Sequence, residues 1–165
     1  MSRPNRCIKD DQGNDVWVVR SSVVIPIVFK WNQDTGEVFT LLEQRGPAVS
    51  HKGEWCCPCG YIDWDETLEE ACVREVHEET GLEINQSNIE LFDVSTDVDT
   101  NNQTIDHWYM CWTDGDFDLN KVETKDEILQ LGWLKVGKVN KPNPLNRMPA
   151  SFDIYVDDIH KGLGK

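Results

Sequence analysis

The chain has 165 residues, the usual size of one domain and long enough to bury a core without disulfides or structural metals. Its 16 basic and 30 acidic side chains give a net charge of −14, which argues against binding a nucleic-acid polymer or an anionic membrane and favours cations. No N-terminal pattern of basic residues, apolar stretch and cleavage site is present, and the longest apolar run, Val23 to Phe29, is far short of a membrane span, so a cytoplasmic protein is expected.

Residues 17 to 29 are rich in Val, Ile and Trp and are expected to form a strand. Asn32 to Gly36 supply a turn, and a second strand at about 37 to 45 completes a hairpin. Cys56-Cys57-Pro58-Cys59 follows. Six cysteines could pair, but with no secretion signal reduced thiols are expected. A zinc site would want a second ligand pair at matching spacing, and only His51, His77 and Cys111 offer themselves.

A helix is announced by Thr67 three residues before Glu70, a capping box, and Gly81 ends it. Leu68, Cys72, Val76 and Thr80 recur every four residues, with Ala71 and Val73 beside them, and form an apolar face to pack on a sheet. Strands are expected at about 89 to 97, 104 to 113 and Gln130 to Val136, with an acidic loop around 114 to 126 and a last helix at about 151 to 161. No repeat or linker divides the chain, so a single domain is expected. Strands and helices mixed without βαβ alternation point to an α/β or α+β sandwich with a mixed sheet.

The segment from Gly60 to Leu82 carries the chemistry. Glu75, Glu78 and Glu79 stand at i, i+3 and i+4, so their carboxylates project from one helix face within reach of a common point. Three such groups repel one another unless a cation sits among them. Oxygen donors favour Mg²⁺ or Mn²⁺, and Mg²⁺ prefers a few carboxylates with water and phosphates completing its shell, which points to phosphate chemistry. Arg74 lies four residues from Glu70 and from Glu78 and could reach Glu66, so its forked guanidinium is suited to orienting a carboxylate. Arg-Glu-x-x-Glu-Glu alone is common on solvated helices.

The longer pattern is more specific. Gly60, Glu66, Arg74, Glu75, Val76, Glu78, Glu79, Gly81 and Leu82 resemble the box of the Nudix hydrolase family at every defining position. Leu41-Leu42-Glu43-Gln44-Arg45 and Gly53-Glu54-Trp55 upstream, and Glu127 six residues before Trp133 downstream, extend the resemblance to about residues 20 to 136.

That resemblance implies an α/β/α sandwich with a mixed sheet and hydrolysis of a diphosphate linkage in a small nucleotide-like molecule. It implies Mg²⁺ or Mn²⁺ held by Glu75, Glu78, Glu79 and the backbone carbonyl of Cys59. Glu75 or Glu127 would prepare the water, Arg74 would orient the carboxylates, and Arg45 would meet phosphates. It also implies a homodimer, since many family members dimerise. Trp64 in the box loop and Trp17 near the start are candidates to stack on a base. Lys52 reads more simply as a surface ion pair.

The family usually has two consecutive glycines where this chain has Cys59-Gly60, and a positive φ there would disfavour cysteine. Cys59 could instead be a reactive thiol, with only His51 or Lys52 nearby to lower its pKa.

Two other readings compete. Isopentenyl diphosphate isomerases resemble this chain in fold and in a cysteine loop echoed by Cys56-Cys57, but their box is degraded and their metal-site histidines are missing here. Non-catalytic nucleotide sensors usually carry a DNA-binding module, for which about thirty residues after Trp133 leave no room. The substrate stays open: neither the proline expected near Asp97 for ADP-ribose enzymes nor the tyrosine of diadenosine polyphosphate hydrolases is present.

Overall fold

A computed structural model describes residues 5–96 and 104–138, so the helix expected at about 151 to 161 and the surroundings of Asp97 lie outside the described residues. Within them the architecture is α+β, a seven-stranded mixed sheet carrying one α-helix.

The expected strand at 17 to 29 is split. A small hairpin, β1 (Arg6–Lys9) and β2 (Asp15–Val18), precedes β3 (Ser22–Trp31) and forms its own two-stranded sheet. Its turn is built by Asp10, whose side chain accepts from the backbone N–H of Gln12 and Asn14, and by Gly13 at φ 86°. Both strands are only four residues long, and their described side chains are exposed, which leaves little apolar pattern to read.

The centre of the main sheet is β3. It runs parallel to β8 (Ile105–Thr113) from Ser22 to Lys30, and β7 (Ile89–Thr96) pairs antiparallel on the far edge of β8. The continuous apolar run of β3 follows from burial on both faces. Val24 and Val28 face one cluster with Leu41, Tyr109 and Cys111, while Ile27 and Phe29 face another with Val38, Leu42 and Cys57.

On its other side β3 pairs with β4 (Glu37–Arg45) only through Phe29–Trp31. Beyond that point the two strands take different partners. β5 (Trp55–Cys56) pairs with Glu43 and Gln44 of β4, and β6 (Gly60–Tyr61) pairs with Val23 and Val24 of β3. Residues 55–61 therefore bridge the parting between β3 and β4, which puts Cys59 and Gly60 at that gap. β9 (Ile128–Lys138) covers the remaining edge of β4 along its whole length.

The helix α1 (Leu68–Thr80) begins and ends where its signals lie. Thr67 accepts from Glu70 N–H at 3.2 Å and its own N–H donates to Glu70 at 2.7 Å; Gly81, at φ 67°, ends it in the left-handed conformation. Ala71, Cys72 and Val76 are fully buried against the cluster around Val24 and Leu41. An aliphatic side chain such as Val76 contributes about 1.5–3 kcal/mol when fully buried. This apolar contact anchors a helix whose other inward residues are less favourable, since Glu75 and Glu79 are buried as well.

Candidate functional site

The parting of β3 and β4, the box loop and α1 enclose an open cavity of about 590 Å³. Glu75, Glu78, Glu79, Arg74, Cys59, Arg45 and Glu127, seven of the nine residues singled out in the sequence, stand on its wall. Trp64 does not. It is 96 % exposed on the box loop, and Trp17 belongs to the separate β1–β2 sheet, its side chain outside what is described.

Arg74 organises the rim. It grips Glu66 through Nε at 3.0 Å and Nη2 at 2.6 Å, and donates from Nη1 to Glu75 at 2.6 Å and to Glu78 at 3.2 Å. A further bond from Nη2 to the carbonyl of Tyr61, 2.9 Å, ties the helix to β6. The hydrogen bonds from Arg74 hold Glu66 below the usual carboxylate range. Glu70, four residues before Arg74, is engaged in the helix cap instead.

The three box carboxylates thus part company. Glu75 and Glu78 turn to Arg74, while Glu79 turns inward and accepts from Cys59 N–H at 2.9 Å. Among the described residues no three acidic, histidine or cysteine side chains converge as a ready metal cage. The common point expected from helical spacing is shared with a guanidinium, because an arginine on the same face neutralises two of the charges.

The donor set nonetheless fits a hard divalent cation. All the carboxylates on the wall are oxygen donors, and burial raises Glu75 above the usual range and Glu79 well above it. A cation would relieve that cost.

Gly60 matters for space, not for backbone freedom. A Cβ there would stand 1.9 Å from Oε1 of Glu75, and neither Cys59 nor Gly60 has positive φ, so the cysteine in place of the usual glycine causes no strain. We expect Gly60→Ala to leave thermal stability within about 1 kcal/mol, because the flexible end of Glu75 can move. Turnover should still fall by about a hundredfold, the cost of displacing a reacting group by about 1 Å. An alanine variant with wild-type turnover would remove Glu75 from the chemistry.

The acidic loop positions Glu127. Glu123 N–H and Thr124 Oγ1 donate to the carbonyl of Glu78, Glu127 N–H donates to the Thr124 carbonyl at 2.8 Å, and Gly46 N–H donates to the carbonyl of Glu127. A Cβ at Gly46 would meet the Asp126 carbonyl oxygen at 2.5 Å. Helix end and β4 end are thereby joined through the segment that carries Glu127.

Arg45 donates from Nε to the Ser50 carbonyl at 2.7 Å and from Nη1 to the sulfurs of Cys56 and Cys59 at 3.7 and 3.9 Å. Contact with Cys56 and burial push the Cys59 thiol well up, against the pull of Arg45, which disfavours the reactive thiolate. His51 is exposed and pairs with Glu54, and Lys52 is exposed too. The cysteines are free thiols, Cys57 and Cys111 lie buried, and His77 pairs with Glu83 and Glu123, so the zinc alternative finds no ligand set among the described residues.

One residue of the cavity was passed over in the sequence. Glu43 is 1 % exposed and on the wall; burial and then the neighbouring Glu79 raise its pKa to about 11. Alternation along β4 was the available signal, since it puts Glu43 on the helix-facing side with Leu41.

Comparison with known proteins agrees with this geometry. The chain is 32 % identical over 136 residues to the Caenorhabditis elegans protein named "Putative nudix hydrolase 1", covering 82 % of this chain but 34 % of that protein. It thus spans about a third of that relative's length. It is 24 % identical over 125 residues to the dihydroneopterin triphosphate diphosphatase of Haemophilus influenzae, covering 68 % of this chain and 73 % of that one. The NUDIX domain of Shewanella oneidensis NrtR, solved with ADP ribose, superposes with a TM-score of 0.59 at 19 % identity, covering 76 % of this chain and 77 % of that one. Residues 8–154 match the family description NUDIX domain, and with the box helix, its capped ends and its arginine-bound carboxylates in place, the chain belongs to that family.

Proposed function

We propose that this chain is a divalent-metal-dependent hydrolase that cuts a diphosphate linkage in a nucleoside diphosphate joined to another group. The observation that carries this reading is a single cavity whose wall combines Glu75, Glu78, Glu79 and Glu127 with the cation Arg45. Acidic groups of that density repel an anionic substrate unless a cation is present, and the oxygen donors suit Mg²⁺ or Mn²⁺.

Glu75, Glu78 and Glu79, with the carbonyl of Cys59, are the groups that would hold it. When bound, such an ion lowers the pKa of water and neutralises charge on the bridging phosphate oxygen. Glu75 is suited to take the proton from the attacking water, because burial raises its pKa above the usual carboxylate range while Arg74 fixes its orientation. Glu127, anchored by the loop and also on the cavity wall, is the alternative base. Arg45 faces the substrate phosphates, and the sulfurs of Cys56 and Cys59 beside it take no part.

Two relatives support the substrate class. One is named for a triphosphate and the other is solved with ADP ribose, both small molecules with linked phosphates. The test is a panel of nucleoside triphosphates, nucleotide sugars, ADP-ribose, dinucleotides and diadenosine polyphosphates assayed with Mg²⁺. Activity is expected on at least one and should vanish with chelator. In ¹⁸O-water the best substrate should yield label on phosphorus. Label confined to a product without phosphate, or unchanged turnover after chelation, would exclude the mechanism; silence across the panel would favour a nucleotide-binding domain.

A further inference from the structure

The proposed hydrolase makes no use of Glu43, yet this is the most thoroughly buried carboxyl of the cavity. At 1 % exposure its Oε1 accepts the weak thiol donor of Cys56 at 3.5 Å, and its Oε2 has no hydrogen-bond partner among the described residues. What it faces is the carboxyl of Glu79, also buried, on the opposing helix.

Among the described residues no side-chain cation neutralises either group. Arg74 is spent on Glu66, Glu75, Glu78 and the Tyr61 carbonyl, and Arg45 on the Ser50 carbonyl and the sulfurs of Cys56 and Cys59. Two opposed carboxyls in a buried place can coexist by sharing a proton or by sharing a cation. Had a neutral contact to Glu79 been enough, a glutamine at 43 would supply an amide donor without leaving an oxygen unsatisfied. A glutamate there leaves one oxygen without a hydrogen-bond partner among the described residues, on a side chain that lines the cavity, and this oxygen is a donor of the same hard type as the box carboxylates.

We propose that Glu43 is a further cation ligand, contributed by β4 from the sheet side while Glu79 contributes from the helix. This rests on the metal-dependent reading of the cavity and adds a strand residue to the helical carboxylates.

The experiment is Mn²⁺ titration of the chelator-stripped chain, followed by the depletion of the free-ion paramagnetic signal, for wild type, Glu43→Gln, Glu43→Asp and Glu75→Gln. Circular dichroism accompanies each. Glu43→Gln is expected to fold and to bind Mn²⁺ at least about tenfold more weakly, with partial recovery in Glu43→Asp. Wild-type affinity in Glu43→Gln, together with weakened binding in Glu75→Gln, would overturn the assignment while leaving the metal-dependent reading intact. Wild type that binds no Mn²⁺ would overturn both. Should the glutamine variant fail to fold, anomalous scattering from wild-type crystals grown with Mn²⁺ decides: an ion bonded to a Glu43 oxygen supports the proposal, and ions on Glu75 and Glu78 alone refute it.

Discussion

Glu75→Gln is expected to lower turnover at least about a thousandfold with an unchanged fold, because a step worth several kcal/mol of transition-state stabilisation depends on that carboxylate. The amide has nearly the same shape, and its oxygen can still accept from Arg74, so packing against Gly60 and the helix is preserved. What it lacks is charge and basicity. Steady-state turnover with saturating Mg²⁺, alongside circular dichroism, checks this directly; Glu79→Gln should behave alike, since its inward carboxylate meets Cys59 N–H. If both variants fold and work at wild-type rates, the chemistry does not reside on this helix.

Arg74→Ala carries the second large effect, and it acts on stability as well as rate. Removing the guanidinium deletes its bonds to Glu66, Glu75, Glu78 and the Tyr61 carbonyl together, and leaves three carboxylates facing one another with side-chain exposures of 14 %, 10 % and 30 %. Stripping one partner from a network this enclosed typically costs about 3 kcal/mol. Turnover should fall about 10–100-fold, as it does when an orienting partner is lost. Urea unfolding with and without Mg²⁺ separates the two contributions: the stability loss should shrink with Mg²⁺, since a bound cation replaces part of the missing charge. A variant that unfolds like wild type in chelator would show that Arg74 contributes nothing to the fold.

Much of the architecture could be read because its signals are local. Thr67 and Glu70 cap a helix through bonds three residues apart, Gly81 ends it by conformation, and the four-residue recurrence of apolar side chains names the face that meets the sheet. The pairing of Arg74 with Glu66 was within reach for the same reason, since loop and helix are adjacent in the chain. The β1–β2 hairpin was missed because short surface strands bury too little to leave a pattern, and the break before β3 is set by its partners β8 and β6.

The sequence by itself determined that this helix exists, where it begins and ends, and that it carries a dense row of carboxylates beside an arginine. Only the tertiary structure decided how those carboxylates are divided. Helical periodicity treats Glu75, Glu78 and Glu79 as equivalent members of one face, but their surroundings come from distant segments. The parted strands β3 and β4 bring Cys59 N–H and Glu43 to Glu79, and the acidic loop carries Glu127 to the same cavity. Glu43 lies 36 residues before Glu79 in the chain, and although alternation along β4 gives the face it occupies, nothing local tells that another acid stands opposite. Charge interactions depend on distance and solvent exposure, and both are properties of the folded chain.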